Sequence, residues 1–98
     1  MTKITEAQTI EILKVLAVHS RFQIVKLIRH RQFCVNALAQ RIGISQSAVS
    51  QHLKILKDCK LVFAERYGSI VHYRLDTVRM DEFLNALNET LTNRENEG

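Results

Sequence analysis

Five residues near the middle of the chain, Gln46, Ser47, Ser50, Gln51 and Lys54, fall on one side of a segment with helical periodicity. Amides and hydroxyls both donate and accept hydrogen bonds. That double capacity is what the edges of base pairs demand of a side chain lying in a major groove. An ordinary solvated helix would instead carry Lys–Glu pairs on such a face. A second kind of chemistry rests on two cysteines, Cys34 and Cys59. A thiolate can hold a soft metal ion or react with an oxidant, whereas a thiol can also serve as a small apolar filler. One disulfide within the chain would need the two Cα atoms within about 7 Å. A pair of cysteines in a reducing compartment argues against a structural bridge.

These residues must be positioned by a small frame. The chain has 98 residues, 46% of them apolar, with no proline, no repeat and no linker-like stretch. This is enough for one domain, taken as 1–98 with a polar tail from about 92, and it leaves a core that a partner subunit would help to complete. No apolar run approaches the roughly 20 residues that span a bilayer, and the N-terminal segment has no apolar signal core. The expectation is a cytoplasmic protein with no membrane partner. The net charge is +4, unevenly spread: between positions 19 and 74, ten lysines and arginines stand against two acids, and both ends are acidic. A basic middle between acidic ends suits a polyanion.

Periodicity predicts a first helix from about Thr5 to Val18, capped by Thr5, with Ile10, Leu13, Leu16 and Ala17 inward. Ser20 is expected to cap a second helix over about Arg21–His30, with Ile24, Leu27 and Ile28 inward. A short third helix covers about Val35–Ile42 and stops at Gly43, which tolerates the left-handed backbone that ends helices. Ser45 caps the fourth, in which Val49, Leu53 and Leu56 share one face and the five polar residues lie away from it. Two strand-like runs then flank Tyr67-Gly68-Ser69 as a β-hairpin. A last helix from about Asp76 carries Met80, Phe83, Leu84, Leu87 and Leu91 as a broad apolar stripe. A short helix, a tight glycine turn, a helix with a base-reading face and a following hairpin make a winged helix-turn-helix. The fold class is therefore mainly α with a small β wing.

With those elements in place, "LAQRIGISQSAVSQHLKILKDCKLV" resembles the helix-turn-helix of the ArsR/SmtB family of winged-helix repressors. "RYGSIVHYRL" looks like that family's wing, and "LAVHSRFQIV" is similar to its first-to-second helix junction, with His19 in place of the usual proline. The resemblance runs over roughly residues 8–92. It implies a homodimeric transcriptional repressor, packed through the first and last helices, that binds near-palindromic double-stranded DNA with half-sites about one helical turn or a multiple apart. By position it places Gln46, Ser47, Ser50 and Gln51 on bases and lets Val49 meet a thymine methyl. Lys54, Lys57 and Arg41 are placed for phosphates, and Arg66, Ser69 and Arg74 of the wing for the backbone or minor groove. His52 is read as a surface residue, with a phosphate contact as its alternative.

The family often adds an inducer site, and each place where it keeps one is only half present here. At the start of the third helix the Cys-x-Cys of metalloid sensors is Cys34-Val35-Asn36. On the last helix, Asp76 remains, Val78 replaces a histidine, and Glu89 and Thr92 occupy the later pair. On the fourth helix Ile55 stands in place of a first cysteine and Cys59 matches the second. No metal or cofactor is expected; Cys34 and Cys59 are the candidate sensor thiols, with packing as the leading role for each. Arg29 and Arg31 beside a helix N-terminus make Cys34 the more reactive candidate. The inducer is not specified by the sequence. Relatives carry glycine where this chain has Lys60, so a left-handed Lys60, strained by about 1 kcal/mol, is expected. The competing reading is a winged-helix protein-interaction module, or a DNA binder without ligand response. The Gln/Ser/Lys face speaks against the former, and the lack of any catalytic motif against an enzyme.

Overall fold

The computed structural model describes residues 3–92; the tail expected from about 92 lies, past Thr92, outside the described residues. The elements run α1 (Glu6–Leu16), α2 (His19–Ile28), β1 (Phe33–Cys34), α3 (Val35–Ile42), α4 (Gln46–Asp58), β2 (Val62–Tyr67), β3 (Ile70–Leu75) and α5 (Thr77–Thr92). No described helix is long and apolar enough to cross a membrane.

Local chemistry sets most boundaries. Thr5 and Gln8 form a reciprocal capping box at α1: the Gln8 amide N–H donates to the Thr5 hydroxyl and the Thr5 amide N–H to the Gln8 side chain. Ser45 accepts from the Ala48 amide at 3.0 Å and starts α4. At α5 the Asp76 carboxylate accepts from the Arg79 amide at 3.0 Å. Gly43 ends α3 with φ +81°, as expected of a left-handed stop. The wing turns on Gly68 and Ser69, between the paired residues Tyr67 and Ile70. Gly68 alone of the two has positive φ, the pattern of a two-residue II′ turn.

α4 ends as the sequence predicted. Lys60 has φ +67°, the only positive φ of a non-glycine among the described residues. The Lys60 amide donates to the Lys57 carbonyl and the Leu61 amide to the Leu56 carbonyl. These two bonds complete a Schellman motif around a residue with a Cβ. Leu61 is thereby turned fully into the core, which offsets the backbone strain at Lys60.

Three expectations are corrected. The inward face of α1 is Thr9, Ile12 and Val15, with Leu16 half-buried; Ile10 and Leu13 are 47% and 40% exposed, and Ala17 is exposed too. Thr9 can lie inside because its hydroxyl donates to the Thr5 carbonyl at 2.9 Å. Ser20 does not cap α2, which begins at His19 after Val18 with no side-chain cap. The junction is held instead by Arg21, whose Nε donates to the Val15 carbonyl at 2.7 Å. Third, Phe33 and Cys34 form a strand that the sequence reading did not contain. It pairs antiparallel with β3, giving a three-stranded sheet in the order β1-β3-β2.

The core joins Ile12, Ile24, Ile28, Leu38, Val49, Leu53, Leu56, Leu61 and Phe83, so every helix contributes to one cluster. Phe33 closes its edge, with the guanidinium carbons of Arg31 and Arg41 at 4.6 and 5.5 Å from its ring centre.

Candidate nucleic-acid interface

α4 is amphipathic in a particular way. Val49, Leu53 and Leu56 are each no more than 1% exposed. Gln46, Ser47, Ser50, Gln51, Lys54 and Lys57 are all exposed. The buried stripe fixes the rotation of the helix about its own axis, and the rotation presents the polar residues to solvent together. Val49 is a correction: at 0% exposure it cannot meet a thymine methyl and belongs wholly to the core.

Neighbouring elements refine that face. The Gln46 side-chain N–H donates to Asn36 Oδ1 on α3 at 3.2 Å, which leaves Gln46 one further N–H and its carbonyl oxygen free. Those two groups are the set needed for a bidentate contact with adenine. Lys54 makes an exposed pair with Asp58 at 3.4 Å, weak enough in water to be exchanged for a phosphate. Ser50, Lys54, Lys57 and Asp58 line a cleft of about 320 Å³ against Tyr73 of β3, so the helix and the wing strand share a basic channel. Arg41 borders a second cleft of about 400 Å³ with His19, Ser20 and Gln23 at the start of α2.

The wing residues divide. In a strand successive side chains alternate faces. Arg66 shares its face with Ala64 and, across the pairing, Val71; Arg74 is opposite Phe63 and shares the other face. Arg74 is held there by Glu65, at 3.3 Å, and its guanidinium carbon lies 5.9 Å from the Phe63 ring centre. Tyr73, and so the α4 channel, lies on the face of Arg66. Arg66 therefore shares the sheet face of Tyr73, which borders the α4 cleft, while Arg74 lies on the opposite face; Ser69 is exposed in the turn.

His52 is half-buried and not a free surface group. Arg21 Nη1 lies 3.4 Å from His52 Nδ1, while the same guanidinium holds the Val15 carbonyl. Burial, and then the Arg21 charge, lower its pKa from the ordinary 6.5, so the neutral ring accepts from Arg21. Arg21 thus ties the end of α1 to α4, a link between residues 31 apart that no local pattern announces. Asn36, Tyr73 and Arg21 are the residues of this region that sequence reasoning passed over.

The two cysteines are free and differ in setting. Cys59 is 4% exposed, its thiol donates to the Leu56 carbonyl at 3.4 Å, and burial raises its pKa. It is a filler beneath the end of α4. Cys34 is half-buried and supplies no side-chain cap to α3. Among the described residues no three of His, Cys, Asp and Glu come together as a metal cluster.

Fold and site together define a winged helix-turn-helix protein. Comparison with known proteins agrees and narrows the class. The arsR family of bacterial regulatory proteins matches residues 19–63. The HTH-type transcriptional repressor SmtB of Mycobacterium tuberculosis is 46% identical over 65 residues, 66% of this chain and 48% of that protein. The arsenical resistance operon repressor of Staphylococcus aureus is 32% identical over 77 residues, 79% of this chain and 74% of that one. A homodimeric winged helix-turn-helix DNA-binding domain from Mycobacterium bovis superimposes with a TM-score of 0.69 at 29% identity, covering 90% of this chain and 85% of that domain. The chain belongs to the ArsR family of bacterial regulatory proteins. It spans about half the length of the M. tuberculosis repressor that it matches.

Proposed function

We propose that this chain is a sequence-specific DNA-binding transcriptional regulator, acting in the cytoplasm as a homodimeric repressor on a near-palindromic operator. One observation carries the reading: the buried Val49–Leu53–Leu56 stripe of α4 turns an amide- and hydroxyl-rich face outward beside a basic wing channel. Gln46, Ser47, Ser50 and Gln51 read base edges; Lys54, Lys57, Arg41, Arg66 and Ser69 hold phosphates or the minor groove. Arg74, bound to Glu65, contributes only if that pair opens. The whole chain serves as one DNA-binding domain and carries no catalytic role.

The homodimer is supported by what α1, α2 and α5 leave uncovered. Ile10, Leu13, Phe22, Leu84 and Leu91 are between 40% and 72% exposed. An apolar groove of about 500 Å³ runs among α1, α2 and α5, lined by residues that include Leu13, Leu16, Phe22, Met80, Leu84 and Leu87. So much apolar surface on so small a chain is what a two-fold partner covers. The homodimeric state of the M. bovis domain is in keeping with this.

Release by a thiol-reactive or metal inducer falls to Cys34, since Cys59 is buried. Selection of binding sites from a random pool of duplexes tests the function. Recovery of a consensus with two-fold symmetry is the expected result, and a pool that stays random through successive rounds would refute sequence-specific binding.

A further inference from the structure

The side chain that leads α4 is tethered from outside the helix. Gln46 is the first residue of α4, and recognition helices meet base edges with their N-terminal residues. A glutamine carries several rotatable bonds and an amide with one donor end and one acceptor end. Left alone in water it would sample many orientations. Here its Nε2 donates to Asn36 Oδ1 at 3.2 Å, across 10 positions of the chain.

Both ends of that bond stand on fixed backbone. Asn36 is in the first turn of α3, which buries Leu38 and Ala39 and follows directly on Phe33 and Cys34, paired to β3. Gln46 comes just after the Ser45 cap and just before the buried Val49 and Leu53. Both side chains are exposed, so water competes for their bond while the protein is free. A base pair seated against Gln46 excludes that water and strengthens the bond.

We propose that Asn36 is a positioning residue: it fixes which way the Gln46 amide faces and so makes adenine, rather than guanine, the base preferred at one position of each half-site. The proposal rests on the reading of α4 as the base-reading helix. Its logic is a count of donors. In the major groove adenine offers one acceptor, N7, and one donor, its N6 amino group, whereas guanine offers two acceptors, O6 and N7. A glutamine amide has two N–H groups. With one of them held by Asn36, Gln46 has one N–H and its carbonyl oxygen to give, and these match adenine. Guanine would face the Gln46 carbonyl with a second acceptor. An untethered amide can turn and offer both N–H groups to guanine, so loss of the tether relaxes the choice. Asn36 itself touches no base in this scheme and acts only through Gln46.

The test measures binding of the whole chain to a selected operator in which each position carries each of the base pairs in turn. Gln46→Ala locates the position that Gln46 reads, as the one where discrimination is lost. There, Asn36→Ala should cut the preference for adenine over guanine about 3–10-fold, with other positions and the affinity for a scrambled duplex unchanged. In the Gln46→Ala background, Asn36→Ala should have no further effect at that position. Asn36→Asp keeps only acceptors, so it should hold the adenine preference while its charge lowers affinity for every duplex alike. In the protein without DNA, nitrogen-relaxation NMR should find the Gln46 side-chain amide more ordered than that of the exposed Gln51, and Asn36→Ala should remove the difference. Full adenine preference in Asn36→Ala, at a position that Gln46→Ala disturbs, would overturn the proposal and leave the reading of α4 standing. If Gln46→Ala disturbs no position, the base-reading role of Gln46 and the proposal fall together. Loss of the preference in Asn36→Asp, or a Gln46 amide as mobile as that of Gln51, would overturn the proposal too.

Discussion

α4 and α1 are both two-faced helices, and both expose a face that water alone does not explain. On α4 the outward residues are amides, hydroxyls and lysines over a stripe that is no more than 1% exposed. On α1 the outward residues are Ile10, Leu13 and Ala17, over an inward set that includes a threonine. The first face can exchange water for base edges and phosphates, and the second can only exchange it for other apolar groups. One molecule thus presents a polar surface suited to nucleic acid and an apolar one suited to a second copy. The core between them, shared by every helix, holds the two in fixed relation.

That contrast can be broken at several points. Leu53→Ala, beneath the outward polar residues of α4, removes a buried side chain and should lower folding stability by about 2–5 kcal/mol in urea denaturation. A loss below 1 kcal/mol would mean that the stripe does not set the rotation of α4. Leu84→Glu, on the apolar side, should leave the fold intact but weaken self-association about 10–100-fold, or roughly 1.4–2.8 kcal/mol, by sedimentation equilibrium. An unaltered dimer would move the interface elsewhere. Lys60→Gly relieves the left-handed strain at the end of α4 and should raise stability by up to about 1 kcal/mol, with wild-type DNA binding.

The smallest effect concerns pH. The folded-state pKa of His52 lies below its unfolded value of 6.5, so the unfolded chain takes up the proton first. Its contribution to stability is complete above about 6.5 and declines as pH falls from there toward the lowered folded value. Thermal melts of wild type and His52→Gln should converge at low pH and separate above pH 6.5. Parallel curves would deny the Arg21–His52 contact its energetic role.

How much of this was legible in the sequence follows from whether the signal was one-sided. The α4 stripe, the Ser45 cap and the Gly43 stop were readable because apolar and polar residues separate cleanly there. The left-handed Lys60 was readable from the resemblance, since relatives have glycine at that position. α1 was misread because both of its faces carry apolar residues. Periodicity reports that a face exists; it does not say which of two lies inward. The buried Thr9, satisfied by the Thr5 carbonyl, added to the error. β1 was invisible because two residues make no pattern, and its pairing with β3 is settled 38 to 40 positions away. Asn36 reached Gln46, and Arg21 reached His52, only through tertiary packing. Within the candidate interface, residue types were legible and their groupings were not: Val49 dropped into the core, and Arg74 turned to the opposite face from Arg66.

The central claim is that the outward face of α4 reads bases. Its most direct test is the affinity of Gln46→Ala with Ser50→Ala, measured on a selected operator and on a scrambled duplex across a series of salt concentrations. The operator preference should vanish, while binding to the scrambled duplex and its salt slope stay at wild-type values, because the phosphate contacts remain. A double variant that still prefers the operator as strongly as wild type would contradict the account.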